Sequence, residues 1–414
     1  MLACILLVTL LVAYLDRVNV AVLVADPSFL HDMGIASDPV RKGLLMTIFL
    51  IAYGLANVLL SPLGDVMGPR KAMSLSILLW SVALVIGGLS ASFGFMAAGR
   101  ILLGVGEGMQ WPMQSKYVKH WFPPSERGKA NSVWLVGLMA GPAMAMPFFT
   151  WVIRSLGWRQ SFFVLAALGM VPLALLWFMT TDYPHQHRHV SRSELEHIQA
   201  GLRAEAEAEA AQAMDSFAAS VRAFVMDGRF WLLTVFYACF ASVWWGTMTW
   251  LPSYLKAERG FSWTAMGMWS AAPYLLGAAC VVLVGCLTDR FGRHAHFAAL
   301  AMLGAAAGIF FGARARADAA SALLISMGIA SIAVGLPAVW TLLQRVVPAR
   351  AVGAGAGVMN GVANGVSALA PAVIGWLIAL TGGYAGGLMF LVGVAAVGFT
   401  CMAVLASRRP RVDS

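Results

Sequence analysis

Twelve times along this chain the residues run apolar for roughly 19–28 positions, and that recurrence limits the fold more than any other feature. A helix rises about 1.5 Å per residue, so ~20 apolar residues span the ~30 Å hydrocarbon core of a bilayer. In lipid a helix satisfies its own backbone polar groups, which an open strand cannot do. The runs cover approximately 2–25, 41–62, 72–92, 94–118, 129–153, 158–180, 229–255, 264–288, 295–313, 319–346, 353–379 and 382–406. Six precede a polar stretch at 181–228 and six follow it. Composition agrees: 60% of residues are hydrophobic and 11% charged, where soluble domains carry about 25% charge. The expected fold is all-α and integral to the membrane, with twelve transmembrane helices in two six-helix bundles. Its divisions are 1–180, a cytoplasmic linker at 181–228, 229–407, and a tail at 408–414.

Lys and Arg set the orientation, because cytoplasmic loops retain positive charge. With the N-terminus inside, eighteen fall on cytoplasmic segments and eight on outer loops, which leaves Arg17 and Arg100 within the membrane. Both termini are therefore expected in the cytoplasm. The net charge of +9 is spread over these loops, so no nucleic-acid partner is implied. The first run is too long for the core of a cleavable signal. Cys4, Cys239, Cys280, Cys286 and Cys401 all lie in apolar runs without metal spacing and read as small hydrophobes. His185, His187 and His189 alternate in a solvated loop with no completing ligand, and no metal is expected. Ser191 to Glu194 (SRSE) has the form of a capping box opening a surface helix in the linker.

Four charges break the apolar pattern: Asp16 and Arg17 in the first run, Arg100 and Glu107 in the fourth. Each costs roughly 2.5–3.5 kcal/mol in an apolar helix and persists where it faces protein or a watery cavity. Arg100 and Glu107 are seven residues apart, hence on one face. Depth along the two antiparallel helices matches Asp16 with Arg100 and brings Glu107 within reach of Arg17. Two neutralising pairs are expected, Asp16–Arg100 and Arg17–Glu107. Protonating Glu107 would release Arg17 for an incoming carboxylate; loss of that anion would restore the pair and expel the proton. A fixed lock between the two helices is the alternative.

The segment Ser61 to Lys71 (SPLGDVMGPRK) after the second run and Gly285 to His294 (GCLTDRFGRH) after the eighth are copies of one pattern. They occupy equivalent places in the two halves, which makes the bundles pseudo-symmetric. Asp65 can cap the helix that follows, while the basic residues meet helix C-termini and acids.

At these residues the chain resembles the major facilitator superfamily. Gly285, Asp289, Arg290, Gly292 and Arg293 fit its loop motif closely; Asp65 and Arg70 fit with Ser61 and Val66 as departures. Tyr14-x-Asp16-Arg17-x-Asn19, with Arg100, Glu107 and Trp121 to Pro123, resembles its anion:cation symporter family. That resemblance implies Arg17 as the substrate arginine, and Asp16 and Glu107 as proton-coupling acids. It also implies Tyr14, Tyr53, Asn57, Trp340, Asn360 and Asn364 as substrate-reading groups. Asn57 replaces the usual glutamine. Gly137-x-x-x-Gly141-Pro142 is similar to an antiporter motif, and small-residue packing accounts for it equally. The run Gly104-x-Gly106-x-Gly108 reads as close helix packing, since no strand precedes it.

The expectation is a monomeric proton-coupled importer of a small organic anion in a bacterial inner membrane, working by alternating access. It is not an enzyme and needs no cofactor, because the proton gradient supplies the energy. An anion exchanger, a drug/proton antiporter and a transporter-like sensor are the rivals.

Overall fold

Proline and glycine punctuate the apolar runs. Pro39, Pro69 and Pro124 each start a helix, where the missing N–H is not needed. Gly157, at φ +93°, turns the fifth span straight into the sixth through a backbone conformation that a side chain would strain. The computed structural model describes residues 1–211, 221–222, 224–291, 293–348 and 351–407, without the side chains of 206, 208–211 and 282–291.

Ten of the described helices are long and apolar enough to cross a membrane. They are Leu2–Leu23, Pro39–Leu59, Pro69–Gly88, Pro124–Leu156, Trp158–Met179, Gly228–Glu258, His294–Arg314, Asp318–Val346, Val352–Thr381 and Ala385–Ser407. The other two expected spans are helical as well. The fourth is divided into Phe93–Gly108 and Gln110–Trp121, and the eighth is Trp263–Phe291. One short helix went unforeseen, Pro27–Asp32, N-capped by the Asp26 carboxylate. Asp32 then receives Arg159 at 2.6 Å and the Trp158 indole at 3.1 Å.

Contacts divide the chain into two units. One comprises Met1–Gly34, Ile48–Ala145 and Trp151–Asp215; the other Ile35–Thr47, Met146–Thr150 and Ser216–Ser414.

In the first unit the glycines of the fourth span bring helices to backbone distance. A Cβ on Gly104 or Gly108 would collide with the Phe49 or Tyr53 carbonyl of the second span, and one on Gly106 with the Trp80 N–H group of the third. Gly137 and Gly141 lay the fifth span on Leu10 and Tyr14 of the first. Packing therefore accounts for both glycine patterns. The linker helix Arg192–Ala211 begins as expected, with Ser191 Oγ accepting from the Glu194 N–H. Arg127 grips Glu205 on it through two nitrogens at 2.6 and 2.7 Å, and His197 meets Glu126 at 3.0 Å.

In the second unit, Pro39-x-x-x-Gly43 and Pro371-x-x-x-Gly375 interlock. Each glycine faces the carbonyl of the other motif's proline, where a Cβ would collide. Thr47 Oγ1 accepts from the Ala372 N–H at 3.2 Å, and Trp250 Nε1 donates to the Pro371 carbonyl at 2.9 Å. Gly308 and Gly328 cross in the same backbone-to-backbone manner.

Candidate substrate and proton site

Adjacent residues on a helix point about 100° apart, so the first span aims Asp16 and Arg17 at different partners on the fourth. Arg17 Nη2 lies 2.8 Å and Nε 3.0 Å from Glu107 Oε2. Arg100 Nη1 lies 3.3 and 3.5 Å from the two Asp16 oxygens. All four side chains are buried, at 1–4% exposure. Charges so far from solvent persist only as neutralised sets. Both expected pairs are present. They belong to one cluster, because the Phe49 ring stands beside both guanidiniums.

Aromatic rings close around the guanidiniums. The Arg17 Cζ stands 4.7 Å from the Tyr14 ring centre, 5.0 Å from Tyr53 and 5.7 Å from Phe49. Phe49 also lies 4.5 Å from the Arg100 Cζ. Sequence reasoning overlooked Phe49, yet Phe49, Tyr53 and Asn57 sit at i, i+4 and i+8 on one face of the second span, which is a readable stripe. A guanidinium held among ring faces keeps its planar fork for a carboxylate while the rings replace its hydration.

Asn57 has a structural partner. Pro112 has no N–H to give the Gly108 carbonyl four residues earlier, so the fourth span breaks at Met109. Asn57 Nδ2 donates to that carbonyl at 3.1 Å. The amide thus repairs a helix break beside Glu107, and its oxygen remains an acceptor.

In the second unit, Asn364 Nδ2 donates to Asn360 Oδ1 at 2.9 Å, and the Tyr237 hydroxyl donates to the same oxygen at 3.4 Å. Trp340 meets the Tyr237 ring edge to face at 5.7 Å. Tyr237, Phe240 and Trp244, at i, i+3 and i+7, form an aromatic stripe on the seventh span.

The repeated loop differs in detail from expectation. Asp65 does not cap the third span; it pairs with Lys116 at 2.6 Å. The cap is Asp182, whose Oδ1 accepts the Arg70 N–H at 2.8 Å, because the chain turns at Gly68 and brings the end of the sixth span alongside. The Arg70 guanidinium reaches the Trp177 carbonyl there and stacks on that indole. In the second copy Gly285, Asp289 and Arg290 stand on the backbone of the eighth span, and the Asp289 and Arg290 side chains lie outside the described residues, as does Gly292. Arg293 is exposed at the start of the ninth span.

Two halves of membrane helices with a buried, balanced charge cluster define a multi-pass membrane transporter. The chain belongs to the Major Facilitator Superfamily, whose profile matches residues 6–371. It is 32% identical over 405 residues to a probable sulfoacetate transporter of Cupriavidus necator, covering 95% of this chain and 90% of that one. A probable galactarate/D-glucarate transporter of Bacillus subtilis is 28% identical, covering 93% and 86%. A D-galactonate transporter of Escherichia coli is 27% identical, covering 98% and 95%. Among solved structures, an inward-facing bacterial homologue of the human lysosomal transporter Spinster shares the fold at TM-score 0.75 and 19% identity, with 98% of each chain covered. A D-xylose–proton symporter does so at 0.74 and 17%, covering 98% of this chain and 97% of that one.

Proposed function

We propose that this transporter takes up a small organic anion, a sugar acid or another carboxylate, together with a proton. The Arg17–Glu107 pair inside its set of rings carries the reading. A proton on Glu107 discharges the pair, Arg17 then takes the substrate carboxylate, and departure of the anion lets the pair re-form and the proton leave. Asp16 and Arg100 hold the remaining charge in balance, with Asp16 able to share the proton. Tyr14, Tyr53, Asn57, Trp340, Asn360 and Asn364 read the hydroxyls. The relatives' sugar-acid and sulfoacetate substrates support an anion of this size.

In this reading both termini face the cytoplasm of a bacterial inner membrane, and the chain works as a monomer by alternating access without a cofactor. Residues 1–180 and 229–407 act as the two bundles, joined by 181–228, and the repeated loops act as latches. The test is uptake into liposomes with and without an inward proton gradient, using galactonate, glucarate, a hexuronate and sulfoacetate. A gradient should accelerate uptake of at least one acid. Glu107→Gln should abolish that acceleration while preserving exchange of substrate for substrate. Uptake that ignores the gradient but needs a counter-anion would establish an exchanger instead.

A further inference from the structure

We infer that Gln110 and Gln114 hold a file of buried water along which Glu107 gives up its proton; this rests on the reading of Glu107 above. The three residues are i, i+3 and i+7 on the fourth span. Met109 keeps helical backbone angles (φ −74°, ψ −20°) across the break, so at about 100° per residue Gln110 lies within ~60° and Gln114 within ~20° of the Glu107 direction. They extend ~4.5 and ~10.5 Å beyond it along the helix axis, on the side proposed to be cytoplasmic.

Their exposures are 4% and 0%, and the orientation of each amide is forced. Ser76 gives its hydroxyl proton to the Gly106 carbonyl at 2.5 Å, so Ser76 Oγ accepts from Gln110 Nε2 at 2.8 Å. Gln114 Nε2 donates to the Leu6 carbonyl at 3.3 Å. Both amide oxygens are therefore left as buried acceptors, and neither has a protein donor among the described residues. Buried acceptors in native proteins are satisfied by protein or by ordered water, and two lie one turn apart here on the face that carries Glu107. A leucine would fill either place without needing a donor.

In the step itself, the Glu107 O–H bond breaks and its proton passes to the first water. Each water then accepts one proton and releases another, until the last leaves to bulk. The carboxylate returns to Arg17. The glutamines orient the waters and do not titrate; they are positioning residues.

The test places Gln110→Leu and Gln114→Leu proteins in liposomes with the acid of the panel above that shows the fastest gradient-driven uptake. Net uptake requires proton release in every cycle, whereas counterflow exchange can proceed with the proton retained. Each variant should lose gradient-driven uptake by about tenfold, the scale of one missing hydrogen-bonded link, while counterflow stays within about twofold. Gln110→Asn and Gln114→Asn keep an amide one methylene shorter and serve if a leucine variant fails to fold; each should show a smaller loss in the same assay only. Equal losses in both assays would mark the glutamines as packing residues and overturn the inference. Variants with wild-type uptake would overturn the relay alone. A wild-type protein indifferent to the gradient would overturn the parent reading and this one with it.

Discussion

At the level of single residues, the two ion pairs differ in tightness. Arg17 meets Glu107 through two nitrogens at 2.8–3.0 Å, and Arg100 stands 3.3–3.5 Å from Asp16. Removing one member of the looser pair leaves a buried charge uncompensated, so Asp16→Asn should lower unfolding stability by about 3–5 kcal/mol. Asp16→Asn with Arg100→Gln should recover most of that loss; denaturation in detergent is the measurement, and an unrecovered double variant would contradict the pairing. These pairs were legible because residue count gives depth along a helix, and depth alone matched the partners. Phe49 and Tyr237 were legible in principle, from stripes at helical spacing. The Asn57 contact was not, since it answers a missing N–H at Pro112, 55 positions away, and only the packed helices bring the two together.

Among the elements, the fourth span has the most to explain. Three glycines fit it between the second and third spans, and Pro112 breaks it one turn past Glu107. The freed Gly108 carbonyl makes Asn57 necessary. Asn57→Ala should therefore cost about 1–3 kcal/mol, the penalty of a buried acceptor left unpaired. In a Pro112→Ala background the backbone N–H returns and the same substitution should cost little. A double-mutant cycle reads this coupling directly, and additive losses would refute the proposed repair. Span positions were legible to within a few residues, because hydropathy and length act locally. The break was hidden because a hydropathy window averages over it, and the Asp65 cap was misassigned because its partner, Lys116, comes from another helix.

For the whole molecule, the linker helix is held to the first unit by Arg127 and Glu205, a pair about one-fifth exposed. The hydrogen bonds from Arg127 hold the Glu205 carboxyl below the ordinary glutamate range. A depressed acid contributes stability above its unfolded pKa and loses it as pH falls through the folded value. Glu205→Gln should thus lower the melting temperature at neutral pH by an amount corresponding to under ~1 kcal/mol, and the two proteins should converge as pH falls through the lowered folded-state value, below the ordinary glutamate range. The capping box announced this helix, while its docking partner emerged only from tertiary contacts. The interlocked Pro39/Gly43 and Pro371/Gly375 motifs carry a different consequence. At the two glycines main chain meets main chain, so there the chemical character of a replacement matters less than its bulk. Alanine, serine and cysteine at Gly43 would all drive the same one-carbon wedge between the helices.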